Sequence, residues 1–143
     1  AYGLQYVILR YFNVAGADLD KECGERSQQP QNLIPLVLHA IRRGKVVEIF
    51  GSDYATQDGT AVRDYIHVVD LADAHLKSLD YLFKNNASII LNLGTGNGSS
   101  VKEVIEMASL VTGQSIRIQQ APKRPGDPAF LVADSSLART LLG

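Results

Sequence analysis

The sequence has no tryptophan, one cysteine, one methionine and three histidines. A single cysteine, Cys23, excludes an internal disulfide and fits a reducing compartment. It lies among Lys21, Glu22, Glu25 and Arg26 and reads as an incidental thiol. None of His39, His67 and His75 has a second histidine or cysteine at metal-ligand spacing, so a zinc site is not expected and all three read as structural. No Ser-His-Asp order or nucleophile elbow is present. The formal net charge is −1, which gives no bulk field to attract nucleic acid or an anionic membrane. No apolar run approaches the roughly 20 residues of a membrane span. The opening "AYGLQYVILRYF" lacks a basic n-region and is not expected to be a signal peptide. These absences together point to a cytoplasmic location, with neither nucleic acid nor membrane as partner.

What is present is an ordinary globular composition. Of 143 residues, 45% are hydrophobic and 20% charged, enough for one core. "YVILRYF" (6–12) is apolar except for Arg10 and predicts a strand buried on both faces. Residues 13–31 predict a long polar loop. A helix is expected from near Asn32 to a stop at Arg42-Arg43-Gly44, with Leu33, Val37, Ala40 and Ile41 on its apolar face. Strands are expected at 46–50, 62–68, 89–93 and 115–119, and turns at 51–60 and in the proline-rich 121–130. Asp70 is the expected cap of a helix carrying Leu71, Ala74, Leu79 and Leu82 on one face. A further helix follows residue 100, with Val101, Val104, Ile105, Ala108 and Val111 as its stripe and Gly113 as its stop. This alternation predicts α/β layers. Residue 1 enters a strand almost at once and "SSLARTLLG" stops as a helix would be ending, so a fragment of a longer protein is expected.

The turn "LGTGNG" (93–98) has the outline of a dinucleotide-binding fingerprint but lacks two of its parts. The place of the third glycine, five residues after Gly94, holds Ser99. Near Gln114, about 20 residues on, no carboxylate is available for a ribose hydroxyl. Capping explains the segment better. Ser100 and Glu103 form a capping-box pair, and the glycines allow a tight turn with positive φ.

Polar residues of fixed geometry stand at the ends of apolar runs: Asn13, Asn32, Arg63, Tyr65, Arg124 and Asp127. Two arginines on separate loops suit a diphosphate, because the guanidinium fork matches phosphate geometry. An aspartate can accept from sugar hydroxyls, and asparagines both donate and accept. A sugar nucleotide needs this mixture. Loops collect polar residues in any case, so a set that satisfies itself internally is the competing reading.

Five strings carry a resemblance along essentially the whole chain: "LRYFNVAGAD" (9–18), "NLIPLVL" (32–38), "IFGSDYATQDGTAVRDYIHVVDLADAHLKSL" (49–79), "LNLGTGNGSSVKEVI" (91–105) and "APKRPGDPAFLVADSSLA" (121–138). They resemble the C-terminal half of the UDP-glucose 4-epimerases, a branch of the extended short-chain dehydrogenase/reductase family. "VRDYIHVVDLA" is shared with many nucleotide-sugar epimerases and dehydratases, and "DYATQDGT" narrows the match to the 4-epimerase branch. The resemblance implies late strands of a Rossmann-type parallel sheet (6–12 and 89–93) plus the smaller substrate-binding α/β domain. It implies NAD as cofactor, held mainly by an N-terminal half not contained here, and a UDP-sugar as substrate. In such enzymes NAD takes a hydride from C4 of the sugar while a tyrosine of a Tyr-x-x-x-Lys helix removes the hydroxyl proton. Ala1 would lie just downstream of that helix, so the 143 residues are expected to be inactive alone.

By the same resemblance, Phe12 lies beside the nicotinamide and Asn13 touches the diphosphate–sugar part of the substrate. Asn32 and Leu33 open a helix over the diphosphate, where free amides suit an anion. Glu48, Ile49 and Phe50 run along the uracil, Arg63 and Arg124 clamp the diphosphate, and Asp127 holds the uridine ribose. Tyr65 supports. Leu131 lines the sugar pocket, at a position where some members carry tyrosine and others a smaller residue. Such enzymes are often dimeric, so a homodimer is admitted. Another sugar-nucleotide epimerase or dehydratase, and a non-catalytic sugar-nucleotide-binding module, stay open as alternatives.

Overall fold

A computed structural model describes residues 3–143; Ala1, placed by the resemblance just after a catalytic helix, lies outside them. In chain order the elements are β1 (Val7–Tyr11), β2 (Asn13–Ala15), α1 (Leu33–Arg43), β3 (Val46–Phe50), β4 (Val62–His67), α2 (Val68–Asn85), β5 (Ile89–Leu93), β6 (Gly98–Ser100), α3 (Val101–Thr112), β7 (Arg117–Ala121), β8 (Phe130–Leu131) and α4 (Ser136–Leu142). Every strand pairing with an observed register is parallel. The class is α/β. The chain folds into two units. One comprises the described residues up to Gly24 with Asp64–Asn97 and Val132–Gly143, the other Glu25–Arg63 and Gly98–Leu131.

In the first unit β1 and β5 pair in parallel from Val7↔Ile89 to Tyr11↔Leu93, the neighbouring arrangement that their apolar sequences predict. Alternate residues point to opposite faces of a strand. Leu91 and Leu93 are therefore buried with Ile66, Leu71 and Ala138, under α2 and α4. The directly paired Ile8 and Ile90 face the other way and stay 43% and 41% exposed. Cover on both faces was expected of these strands, with much of it absent from a fragment; within this unit helices cover one face, and the apolar Ile8 and Ile90 stay open on the other.

Two local features of this unit differ from the sequence reading. Helix α2 starts at Val68, because His67 Nδ1 accepts from the Val69 N–H at 3.2 Å. Histidine supplies the cap in place of Asp70, which sits inside the first turn where its charge suits the helix dipole. Residues 13–15, expected as loop, form β2 and pair with β4 from Asn13↔Tyr65 to Ala15↔His67. Gly16 then closes against the His67 ring, where a Cβ would sit 2.2 Å from Nε2.

In the second unit β3 and β7 pair in parallel from Val46↔Arg117 to Phe50↔Ala121, so the strand expected at 115–119 runs two residues later. Helix α1 ends at Gly44, as the sequence predicts, in the left-handed conformation. Val37 and Ala40 of α1, Val47 and Ile49 of β3 and Ile105 of α3 form the core. The end of the proline-rich loop, residues 130–131, is the short strand β8, which pairs with Val62 and Arg63. Strand β6 also pairs with β4.

Helix α3 carries the predicted capping box. Ser100 Oγ accepts from the Glu103 N–H at 3.0 Å, and the Glu103 carboxylate accepts from the Ser100 N–H at 2.7 Å. The Ser100 hydroxyl also donates to Asp58. Burial pushes the Asp58 carboxyl up, but Ser100, Thr60 and nearby Lys102 outweigh it and hold it below its ordinary value. Ser100→Ala removes both bonds of the hydroxyl and is expected to cost about 1–2 kcal/mol in urea titration; an unchanged midpoint would contradict this assignment.

Candidate functional site

The glycine turn after β5 spends its amides on a protein carboxylate. Asp64, only 1% exposed, accepts from the Thr95 N–H at 2.9 Å, the Thr95 hydroxyl at 2.7 Å, the Gly96 N–H at 3.1 Å and the Ala133 N–H at 3.2 Å. Burial pushes this carboxyl up, and the four donors outweigh burial and lower it. A Cβ on Gly94 would stand 2.4 Å from Asp64 Oδ2 and 2.6 Å from the Ala133 Cβ, so residue 94 is glycine because of close approach. Gly96 has φ +77°, the left-handed conformation expected of the turn. With those donors engaged, the turn offers no cradle for a phosphate.

The second unit holds a cationic cluster. Arg63, on β4, donates to one carboxylate oxygen of Asp127 and, through Nη1, to the Val62 carbonyl at 2.7 Å. The partner of Arg63, Asp127, lies 64 residues on. The Tyr54 hydroxyl reaches the other Asp127 oxygen at 3.4 Å. Asp127 is brought into line by the turn 124–127, closed by a bond from its own N–H to the Arg124 carbonyl at 3.2 Å. Gly126 supplies the positive φ, +77°, that this turn requires.

Arg124 behaves differently from Arg63. Its guanidinium lies 3.9 Å over the Phe50 ring, and among the described residues it forms no salt bridge. Stacking on the ring fixes the plane of the fork. A cation held flat, exposed and without a salt bridge among the described residues suits an incoming anion. Lys123 sits on the Tyr54 ring, 4.5 Å from its centre, and bridges to Asp53 at 3.1 Å.

The other residues singled out by sequence fall as follows. Leu131 is the register partner of Arg63, so both belong to this cluster's strands. Along β3, Ile49 is 1% exposed and turned into the core, which leaves only its backbone for a ligand; Glu48 is exposed and Phe50 half-buried. Asn32 precedes α1 with its side chain making no cap bond, while its carbonyl accepts from the Leu36 N–H. Leu33 is half-buried against the core. In the first unit Asn13 and Tyr65 are register partners, and Phe12, 39% exposed, links β1 to β2. Sequence reasoning missed Tyr54, Lys123 and Asp64. A tyrosine inside a turn-rich segment was the available signal for the first.

Residues 1–94 match the family model described as the NAD dependent epimerase/dehydratase family. The chain is 54% identical, over 144 residues, to the UDP-glucose 4-epimerase of Halalkalibacterium halodurans, covering 100% of this chain and 43% of that protein. Among solved structures it is similar to a UDP-glucose 4-epimerase from Stenotrophomonas maltophila with bound NAD and formylated UDP-arabinopyranose, with a TM-score of 0.94 and 45% identity over 99% of this chain and 43% of that one. It is also similar to the Bifidobacterium longum UDP-glucose 4-epimerase in complex with NAD+ and UDP, with a TM-score of 0.89 and 43% identity, covering 99% and 42%. The chain thus spans about two-fifths of the length of these relatives.

Proposed function

The chain belongs to the NAD dependent epimerase/dehydratase family, and from that premise we propose that it is the C-terminal part of an enzyme interconverting UDP-glucose and UDP-galactose. Galactose metabolism is the setting of such an activity. The observation that carries the reading is the pair of arginines on the second unit. Arg124 is stacked, exposed and, among the described residues, without a salt bridge, and Arg63 is ordered by Asp127. In this reading Arg63 and Arg124 receive the diphosphate, and Phe50, with the backbone of Glu48 and Ile49, meets the uracil. Asp127 accepts from the ribose hydroxyls, and the amides opened by Asn32 and Leu33 add donors for the phosphates. Asn13 touches the diphosphate–sugar part of the substrate, Leu131 lines the sugar pocket, and Tyr65 has a supporting role.

In the glycine turn, the segment closest to a dinucleotide fingerprint, the Thr95 and Gly96 amides are engaged by Asp64. We therefore assign NAD mainly to the part of the longer protein outside this chain, with Phe12 as the contribution made here. The first unit belongs, in the same reading, to the cofactor-binding sheet and the second to the substrate domain. A homodimer and a cytoplasmic location complete it.

Two assays test the proposal. The full-length protein should turn over UDP-galactose faster than GDP- or dTDP-sugars, with UDP-N-acetylglucosamine included to read the pocket at Leu131. The 143-residue chain alone should show no turnover. A preference for another nucleotide, or activity in the short chain, would overturn the corresponding part.

A further inference from the structure

The segment "DYATQDGT" connects Phe50 to Arg63, and nothing in the proposed chemistry uses it. Its side chains are nevertheless fixed in detail. Thr56 Oγ1 donates to the Thr60 carbonyl at 2.7 Å, and Asp58 accepts from the Thr60 N–H at 2.8 Å. Gly59, at φ +79°, passes so close to the Ser52 carbonyl oxygen that a Cβ would stand 2.3 Å from it. Inside this braced loop Tyr54 is only 8% exposed. Gly51 packs on one edge of its ring, where a Cβ would be 2.5 Å away, and the Lys123 ammonium sits over its face. A ring held on both sides has one polar atom to place, and that hydroxyl is directed at Asp127.

We propose that Tyr54 is a positioning residue: it holds the second carboxylate oxygen of Asp127 and so fixes the Arg63–Asp127 pair in the orientation that receives the substrate's diphosphate and ribose. The inference rests on the function proposed above. Without a second partner, Asp127 can rotate about χ2 and pair with Arg63 in several ways. With Tyr54 in place, one oxygen is oriented to the guanidinium and the other to the tyrosine. At 3.4 Å the contact is long for an O–H donor. Its effect therefore lies in orientation, and the stability of the fold should not depend on it.

The experiment is Tyr54→Phe in the full-length protein, read by calorimetric titration of UDP, by steady-state kinetics with UDP-galactose and by melting curves. The expected result is a rise in Kd and KM of roughly three- to tenfold, with kcat within about twofold and the melting temperature nearly unchanged. The change should vanish in an Asp127→Ala background, because Tyr54 acts through that carboxylate. Lys123→Ala, which strips the cation from the ring, is the second variant and should weaken UDP binding in the same direction by less. Wild-type affinity in both variants would overturn the proposal. So would a Tyr54→Phe effect that adds in full to Asp127→Ala, or a lowered melting temperature with unchanged affinity. Failure of the wild-type protein to bind UDP would instead remove the functional reading beneath it.

Discussion

Replacing Arg124 by alanine in the full-length protein is expected to weaken UDP binding by roughly tenfold to a hundredfold while leaving the melting temperature almost unmoved. Charge-assisted hydrogen bonds contribute about 1.5–3 kcal/mol each, and 1.4 kcal/mol corresponds to a factor of ten. The guanidinium is stacked on Phe50 and makes no salt bridge among the described residues, so little folding stability rests on it. Arg124→Lys should recover part of the loss, since a lysine keeps the charge over the ring but not the planar fork. Arg63→Ala is expected to differ in kind. It also strands the half-buried Asp127 carboxylate, so affinity falls and stability drops by about 1–3 kcal/mol. Calorimetry and melting curves on both variants check this, and an unchanged Kd in both would end the clamp reading.

The largest loss of stability is expected from Asp64→Asn. An amide keeps one acceptor; its NH₂ faces the Gly96 and Ala133 N–H groups if it takes the Oδ2 position, or the Thr95 N–H and hydroxyl if it takes the Oδ1 position. Each buried donor left facing another donor costs about 1–3 kcal/mol, so the variant should lose roughly 2–6 kcal/mol at neutral pH. The pH dependence follows from the lowered carboxyl. Its folded pKa lies below the unfolded value of about 3.9, so its contribution is complete above that value and is lost as pH falls through the folded pKa. The difference between wild type and Asp64→Asn should therefore shrink on acidification from about pH 5 downward. Urea titrations across that range measure it; parallel profiles would show that the carboxylate's charge is not what the four donors stabilise.

Elements that bury an apolar stripe were legible in the sequence. Strands 46–50 and 89–93, helix α1 and the capping box of α3 rest on periodicity and on neighbours within four residues, and they occur where those signals stand. Strands β2, β6 and β8 did not show, since two or three residues carry no period and exist only through pairing with β4. The partner of Arg63 was hidden for the same reason, because Asp127 is local to it only after folding. His67 was missed as a cap because its ring nitrogen does what serine or aspartate usually does. The glycine turn was read correctly as structural, but the carboxylate that occupies it comes from a different strand and could not be deduced from spacing.

The β1–β5 pairing also sets a delay during synthesis. Val7 finds its partner only when Ile89 exists. At roughly 5–20 residues per second, the intervening chain of about eighty residues takes on the order of 4–16 seconds to leave the ribosome. Throughout that interval the edge of β1 that β5 will occupy has no partner, while α1, β3 and their turn are already emerging. The order of translation thus makes β1 wait about eighty residues for its partner, longer than the roughly seventy that separate β3 from β7.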